Sequence, residues 1–308
     1  MINLFFITTL IIITVTAYGK SIMDTTATMQ LYPQSVKSPL YIHGSSYYSV
    51  GTYSTSTISK SLNTYLTVEQ PKKWFSTLSY QELTFSRDDM GDNYFNQYIL
   101  LGKAGLWLNN RINLSGFFAY NFQSGMAYYF NGFKYNSQDF IFTVYGGNAN
   151  YWFNRSTAVG FSYSGGIRKT SDWSFTNPYT LNETSERAFD NYSLHFYCNV
   201  YKSIWSQTTG TVTYAKWAGQ YFMFRENIST NLTDYLRVNV SVGIGRRAFY
   251  FDDELLVMYN PPDVQKACYV VGASIGITKN IFVFPSFEYD AFDDYLIRYG
   301  TIGFRITL

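Results

Sequence analysis

The sequence predicts an all-β chain: an antiparallel up-and-down transmembrane β-barrel of about fourteen strands, with twelve as the fallback. Three observations predict it. Apolar and polar residues alternate with a period of two, in segment after segment, from His43 to the last residue. Of the 308 residues, 20% are aromatic and 46% apolar, but only 14% are charged, whereas ordinary soluble domains carry about 25% charge. Short turns and longer polar links also take turns along the chain, as they do when strands go up and down through a bilayer.

The thirty Tyr and twenty-six Phe favour strands. Mean hydropathy is slightly negative, which excludes a polytopic helical membrane protein. Low charge, many aromatics and middling hydropathy suit a barrel that is apolar outside and polar inside. A soluble β-sandwich is the competing reading. Net charge is +2 and the basic residues form no run, so a nucleic-acid partner is not expected.

In chain order, residues 1–19 read as a secretory signal peptide. Leu4 to Val15 is its apolar core, and Ala17-Tyr18-Gly19 supplies small residues before a cleavage point. No Lys or Arg precedes the core, and no Cys follows it to carry a lipid anchor. The core is shorter than the ~20 residues a membrane-spanning helix needs. Residues 20–42 form a polar N-terminal leader containing Pro33 and Pro39. The barrel is expected over 43–308, as one domain.

Strands are expected near 43–54, 57–69, 73–86, 94–108, 111–123, 138–153, 156–169, 188–202, 207–217, 220–232, 235–249, 266–278, 281–291 and 294–308. The clearest is 111–123. Ile112, Leu114, Gly116, Phe118, Tyr120 and Phe122 take one face, while Asn113, Ser115, Phe117, Ala119 and Asn121 take the other. Tight turns are expected at Asn109-Asn110, Asn154-Arg155, Ser203 to Ser206, Thr233-Asp234 and Lys279-Asn280, where Asn, Asp, Ser and Thr tolerate or cap turn geometry. Long loops are expected at 87–93, 124–137, 171–187 and 252–265, with Pro178 in the third and Pro261 and Pro262 in the fourth. Pro285 falls inside a strand and should mark a bulge or a broken pair. Glu82 and Glu226 fall on the outward face. They need either an interfacial position or a register-flipping bulge.

The final strand, Tyr295 to Leu308, places Leu296, Ile302, Phe304, Ile306 and Leu308 on one face, with Gly300 among them. Tyr299, Thr301, Arg305 and Thr307 take the other. This ending resembles the closing strand of bacterial outer-membrane β-barrel proteins. There, alternating apolar residues and an apolar terminus are read by the barrel-assembly machinery. The usual terminal Phe is Leu308 here. The resemblance implies residence in the outer membrane of a Gram-negative-type bacterium, in contact with its lipid. It ties the chain to no narrower family.

Function lies on the inward face. Alternation points Lys103, Arg111, Arg168, Arg225, Arg237, Arg247 and Arg305 into the barrel, answered by Glu288 and Asp290. Charged side chains on a lumen wall set selectivity, and a basic wall favours anions. The first reading is therefore a porin-like channel passing small solutes, with a bias to anions. The same arginines could instead pair and fill the lumen, since leaving them buried and unpaired is too costly. The alternative is a non-conducting barrel that presents extracellular loops as an adhesin or envelope-complex subunit. It draws on the aromatics Trp173, Phe175 and Tyr179. Trp74, Trp107, Trp152, Trp205 and Trp217 are expected to form interfacial girdles.

No enzyme, catalytic residue, metal site or cofactor is expected. Gly272-Ala273-Ser274-Ile275-Gly276 matches the nucleophile-elbow spacing, but it lies inside an alternating run where the elbow needs a strand-turn-helix. His195 is expected to face inward as a hydrogen-bonding group, and His43 is the one other histidine. Asp88, Asp89 and Asp92, and Asp252, Asp253 and Glu254, lack calcium-loop spacing. Cys198 and Cys268 fall on faces of opposite type, so no disulfide is expected. Nothing marks a subunit face.

Overall fold

Fourteen antiparallel strands run round a closed barrel in chain order, each bonded to its sequence neighbours and the last bonded to the first. The computed structural model describes residues 40–87, 91–130, 133–174, 180–201, 203–216, 219–252, 257–278 and 280–307. The expected signal peptide (1–19) and all but the last three residues of the expected leader (20–42) lie outside them. The strands are β1 (Tyr41–Tyr53), β2 (Thr57–Gln70), β3 (Trp74–Arg87), β4 (Gly91–Trp107), β5 (Ile112–Phe130), β6 (Phe133–Trp152) and β7 (Thr157–Ser174). They continue as β8 (Thr180–Tyr201), β9 (Ile204–Ala215), β10 (Gly219–Thr233), β11 (Leu236–Asp252), β12 (Val257–Gly276), β13 (Ile281–Phe292) and β14 (Leu296–Thr307).

Closure is what makes this arrangement stable. β1 and β14 pair without a break from His43↔Thr307 to Tyr53↔Ile297, so no strand edge is left at the join. Period-two alternation then sorts the side chains. On β9, Trp205, Gln207, Thr209, Thr211, Thr213 and Ala215 are buried on the inner face, and Tyr214 stands exposed on the outer one. The outer wall is greasy at mid-height, with Phe118, Phe161, Phe224, Val240, Phe287 and Phe304 all exposed. A face like that belongs in hydrocarbon rather than water.

Turn chemistry works as the residue types predict. Asn109 Oδ1 accepts from the backbone N–H groups of Arg111 and Ile112, at 2.7 and 2.9 Å. Asn154 Oδ1 does the same for Ser156, Thr233 Oγ1 for Tyr235 and Thr278 Oγ1 for Asn280 and Ile281. Each side chain supplies the acceptor that the turn would otherwise lack. The turn expected over Ser203 to Ser206 is shorter than that, since β9 already starts at Ile204.

Three of the expected long loops are corrected. β5 and β6 extend to Phe130 and from Phe133, β7 and β8 to Ser174 and from Thr180, and β11 and β12 to Asp252 and from Val257. β8 reaches 22 residues and β12 reaches 20, about twice what a bilayer crossing requires. β9, β13 and β14 have 12 residues each. The rim is therefore uneven, with tall hairpins beside low turns. The fourth link shrinks as well, because β4 begins at Gly91. Pro261 and Pro262 mark an irregularity: pairing with β11 jumps from Phe249↔Asp263 to Phe251↔Met258 across them.

Pro285 breaks a pair without a bulge. β12 and β13 pair at Gly272↔Ser286 and again at Ile275↔Val283, with nothing between, while the ladder to β14 is unbroken at Pro285↔Ile302. Glu82 and Glu226 do face outward, and no register shift lies beside either one. Glu226 accepts from Ser206 Oγ at 2.5 Å and Thr208 Oγ1 at 2.6 Å, both on the neighbouring strand. These hydroxyls supply what water would have supplied. At the β13–β14 turn, Asp293 receives Arg246 Nη2 at 2.5 Å and Lys266 Nζ at 2.8 Å. Donation from Arg246 first, and from Lys266 second, holds its carboxyl below the usual range.

β11 bends at Gly245, which has φ 122°. A β-carbon there would lie 2.5 Å from the Phe222 carbonyl oxygen and 3.0 Å from Met223 Cα. Pairing of β10 with β11 begins at Met223↔Gly245. Beyond it, β11 rises on β12 alone. Gly245→Ala is expected to destabilise the barrel by about 1–3 kcal/mol, the usual cost of forced left-handed backbone. Denaturant unfolding in detergent, followed by loss of the heat-modifiable folded band on gels, reads this out.

Candidate functional site

The candidate site is the inner wall. Tyr47, Tyr65, Phe117, Phe142, Phe189 and Phe284 are each at most 8% exposed and belong to one contact cluster with Ile99, Leu101, Ala119, Val144 and Ala215. These residues come from eight strands. The cluster is therefore an apolar belt round the inside of the barrel, reached by Tyr221 on β10 and Phe282 on β13. Aromatic contacts fix it, including Tyr47 against Tyr65 at 5.8 Å and Phe284 at 5.9 Å. A second inner cluster, Trp152, Ala158 and Trp205 with Trp107 and Tyr197, lies at the short-turn end.

That second cluster corrects the girdle expectation. Trp107, Trp152 and Trp205 pack inside the barrel, and only Trp74 of the described tryptophans in that set stands exposed outside. Trp217 lies outside the described residues, as do Phe175 and Tyr179. Trp173 is in β7 rather than in a loop.

Four of the expected lumen charges, Arg225, Arg247, Glu288 and Asp290, gather on the nearby strands β10, β11 and β13. Arg225 Nη2 lies 3.2 Å from Cys268 Sγ. Arg247 donates to Gln265 Oε1 at 3.4 Å, and Gln265 Nε2 donates to Asp290 Oδ1 at 2.8 Å. Asp290 is fully buried and within electrostatic reach of both Arg225 and Arg247. Glu288 sits two residues earlier on the same strand and the same face. Register explains the meeting: Cys268 pairs with both Gly243 and Asp290, and Gly243 pairs with Arg225. Gln265 and Cys268 were missed from the sequence because nothing local marks them.

The other expected lumen residues are spread out. Arg237 Nη2 donates to Ser229 Oγ at 2.8 Å. Arg305 Cζ lies over Phe282 at 4.2 Å and Phe284 at 5.0 Å from the ring centroids. Arg168 lies over Phe140 at 4.2 Å. Lys103 is half-buried on β4, beside Thr77 and Phe117 in register. Arg111 is elsewhere: it stands exposed in the β4–β5 turn, outside the strands.

One group of three potential metal ligands comes together among the described residues. Cys268, Glu288 and Asp290 each offer an atom within 4.8 Å of the others. Two guanidiniums already face this group, and a cation placed there would be repelled by them. It does not fit a metal. His195 is buried with Ser162 Oγ at 2.9 Å from Nε2 and Thr209 Oγ1 at 3.0 Å from Nδ1, so both ring nitrogens are engaged. Ser274 lies within β12, near its C-terminal end and paired with Arg237, with no elbow turn. Cys198 and Cys268 are both free thiols.

Neither a protein-family model nor a curated protein matches this sequence. Solved structures do match its fold. A CymD monoaromatic hydrocarbon channel aligns over 95% of this chain and 94% of its own, with TM-score 0.55 and 9% identity. The Ralstonia pickettii toluene transporter TbuX aligns over 91% and 93%, at 0.56 and 8%. The Pseudomonas putida toluene transporter TodX aligns over 94% and 97%, at 0.53 and 8%. The chain thus has the fold of bacterial outer-membrane β-barrels. The outer membrane is the setting for a closed barrel with a greasy outer wall.

Asp290→Ala is expected to cost about 3–5 kcal/mol, because Arg247 and Arg225 would lose a buried counter-charge. Asp290→Asn, which keeps an acceptor for Gln265, is expected to cost less. Guanidinium unfolding of the two variants in the same detergent gives the comparison.

Proposed function

We propose that this barrel is an outer-membrane channel for small hydrophobic solutes. The observation that carries the reading is the apolar belt. An inner wall ringed by buried Tyr and Phe offers partition and stacking to apolar molecules and little to hydrated ions. The state of the arginines points the same way. Those on the inner wall are stacked on rings or bonded to neighbours, so the basic surface that would draw anions is largely engaged. The solute thus shifts from a small anion to a small apolar molecule. Similarity in fold to channels named for monoaromatic hydrocarbons and toluene supports the choice of solute class. The loop-presenting alternative loses part of its basis, because the segments it relied on are largely strand.

The test uses purified protein in vesicles whose outer leaflet is lipopolysaccharide, the layer that slows apolar solutes. Toluene entry is expected to be several-fold faster than in protein-free vesicles. Phe117→Asn, which puts an amide into the belt, is expected to remove most of that gain. In planar bilayers the same preparation is expected to pass little ion current. Toluene entry no faster than in protein-free vesicles, together with large anion-selective conductance, would reverse the reading in favour of a porin.

A further inference from the structure

Between two apolar clusters of the inner wall lies a band of neutral polar side chains. Asn63 on β2, Gln81 on β3, Gln97 on β4, and Asn121 and Ser124 on β5 are all buried, at 1–8% exposure. Register puts them side by side: Asn63 faces Gln81, Gln81 faces Ile99, Ile99 faces Asn121, and Gln97 faces Ser124. The belt containing Tyr47, Tyr65, Ile99 and Leu101 borders the band on one side. Leu83, Phe85, Phe95 and Phe140 form a separate cluster on the other.

Four of the five hold buried polar atoms with no hydrogen-bond partner: Asn63 Oδ1, Gln97 Nε2, Ser124 Oγ and both ends of the Asn121 amide. Burying such groups unsatisfied costs on the order of 1–3 kcal/mol each, and native proteins keep few of them. Here several share one patch. The backbone is irregular at the same place. β5 carries an extra residue against β4 between Asn121 and Gln123, and its ladder to β6 lapses between Tyr120 and Gly125. The bulge turns Ser124 inward beside Asn121, where strict alternation would turn it out. Bulges that re-aim side chains gather next to functional sites.

We infer that this band is a polar subsite that takes the hydrogen-bonding group of a small neutral aromatic solute, such as a phenolic hydroxyl. The inference rests on the channel reading above and narrows its solute. None of the five side chains is ionisable, so the group they recognise is uncharged. They offer both donors and acceptors, which a hydroxyl can meet together. The apolar clusters on either side supply contact for the ring.

The test compares phenol with toluene, which differ in little but the hydroxyl, by equilibrium binding to the full chain in detergent. Asn121→Leu is expected to weaken phenol binding about three- to tenfold, the worth of one hydrogen bond. Toluene binding should be unchanged and unfolding no easier. Gln97→Met is the second variant, so that a folding failure in one leaves the other to decide. An unchanged phenol-to-toluene ratio in both variants, with toluene still bound, would overturn the subsite and leave the channel standing. If wild-type protein binds neither solute, both readings fall.

Discussion

A strand inside hydrocarbon has no water to satisfy its N–H and C=O groups, so each must find a partner on another strand. That requirement governs the structure. It is met by closing β1 on β14, which leaves every strand with two neighbours. It explains why Pro285, lacking a donor, interrupts the ladder on one side only. It also explains how Glu226 is accommodated. A carboxylate facing outward from a greasy wall draws its hydrogen bonds from Ser206 and Thr208 across the β9–β10 pair.

The same requirement sets what could be read from the sequence. Where one face of a strand meets lipid and the other the lumen, polarity alternates, and the fourteen strands stood out with boundaries mostly within two residues. Above the bilayer both faces of the wall meet water. Alternation fades there although the ladder goes on, and so 124–137, 171–187 and 252–265 read as loops. Parity can assign a face to a residue such as Arg225 or Arg247. It cannot assign partners. The contact between Arg225 and Cys268 depends on the register of β10, β11 and β12, which no local pattern encodes. The bulge in β5 is likewise silent in sequence, and it is what brings Ser124 round beside Asn121. The tryptophans misled for a related reason. Position near a strand end suggested an interface, while parity on β6 and β9 turns Trp152 and Trp205 inward.

The interior combines two kinds of residue that ordinarily avoid each other. Aromatic rings form its belt, and arginines lie among them. The guanidinium is flat and weakly hydrated, so it can lie on a ring face and keep its charge with modest desolvation. Arg305 over Phe282 and Arg168 over Phe140 are arranged in this way. A lysine ammonium is compact and strongly hydrated and would fit such a surface poorly. The wall can therefore hold several positive charges and still present a largely apolar surface.

The join between β1 and β14 links the two most distant described parts of the chain. Contacts between distant segments form slowly, because the loop they close must first be gathered. Until β14 arrives, thirteen strands have two raw borders, each able to zip onto another copy. Biogenesis of such a chain is thus a problem of custody. Something must shield an unfinished sheet, and insertion can be completed only after the last strand has been made.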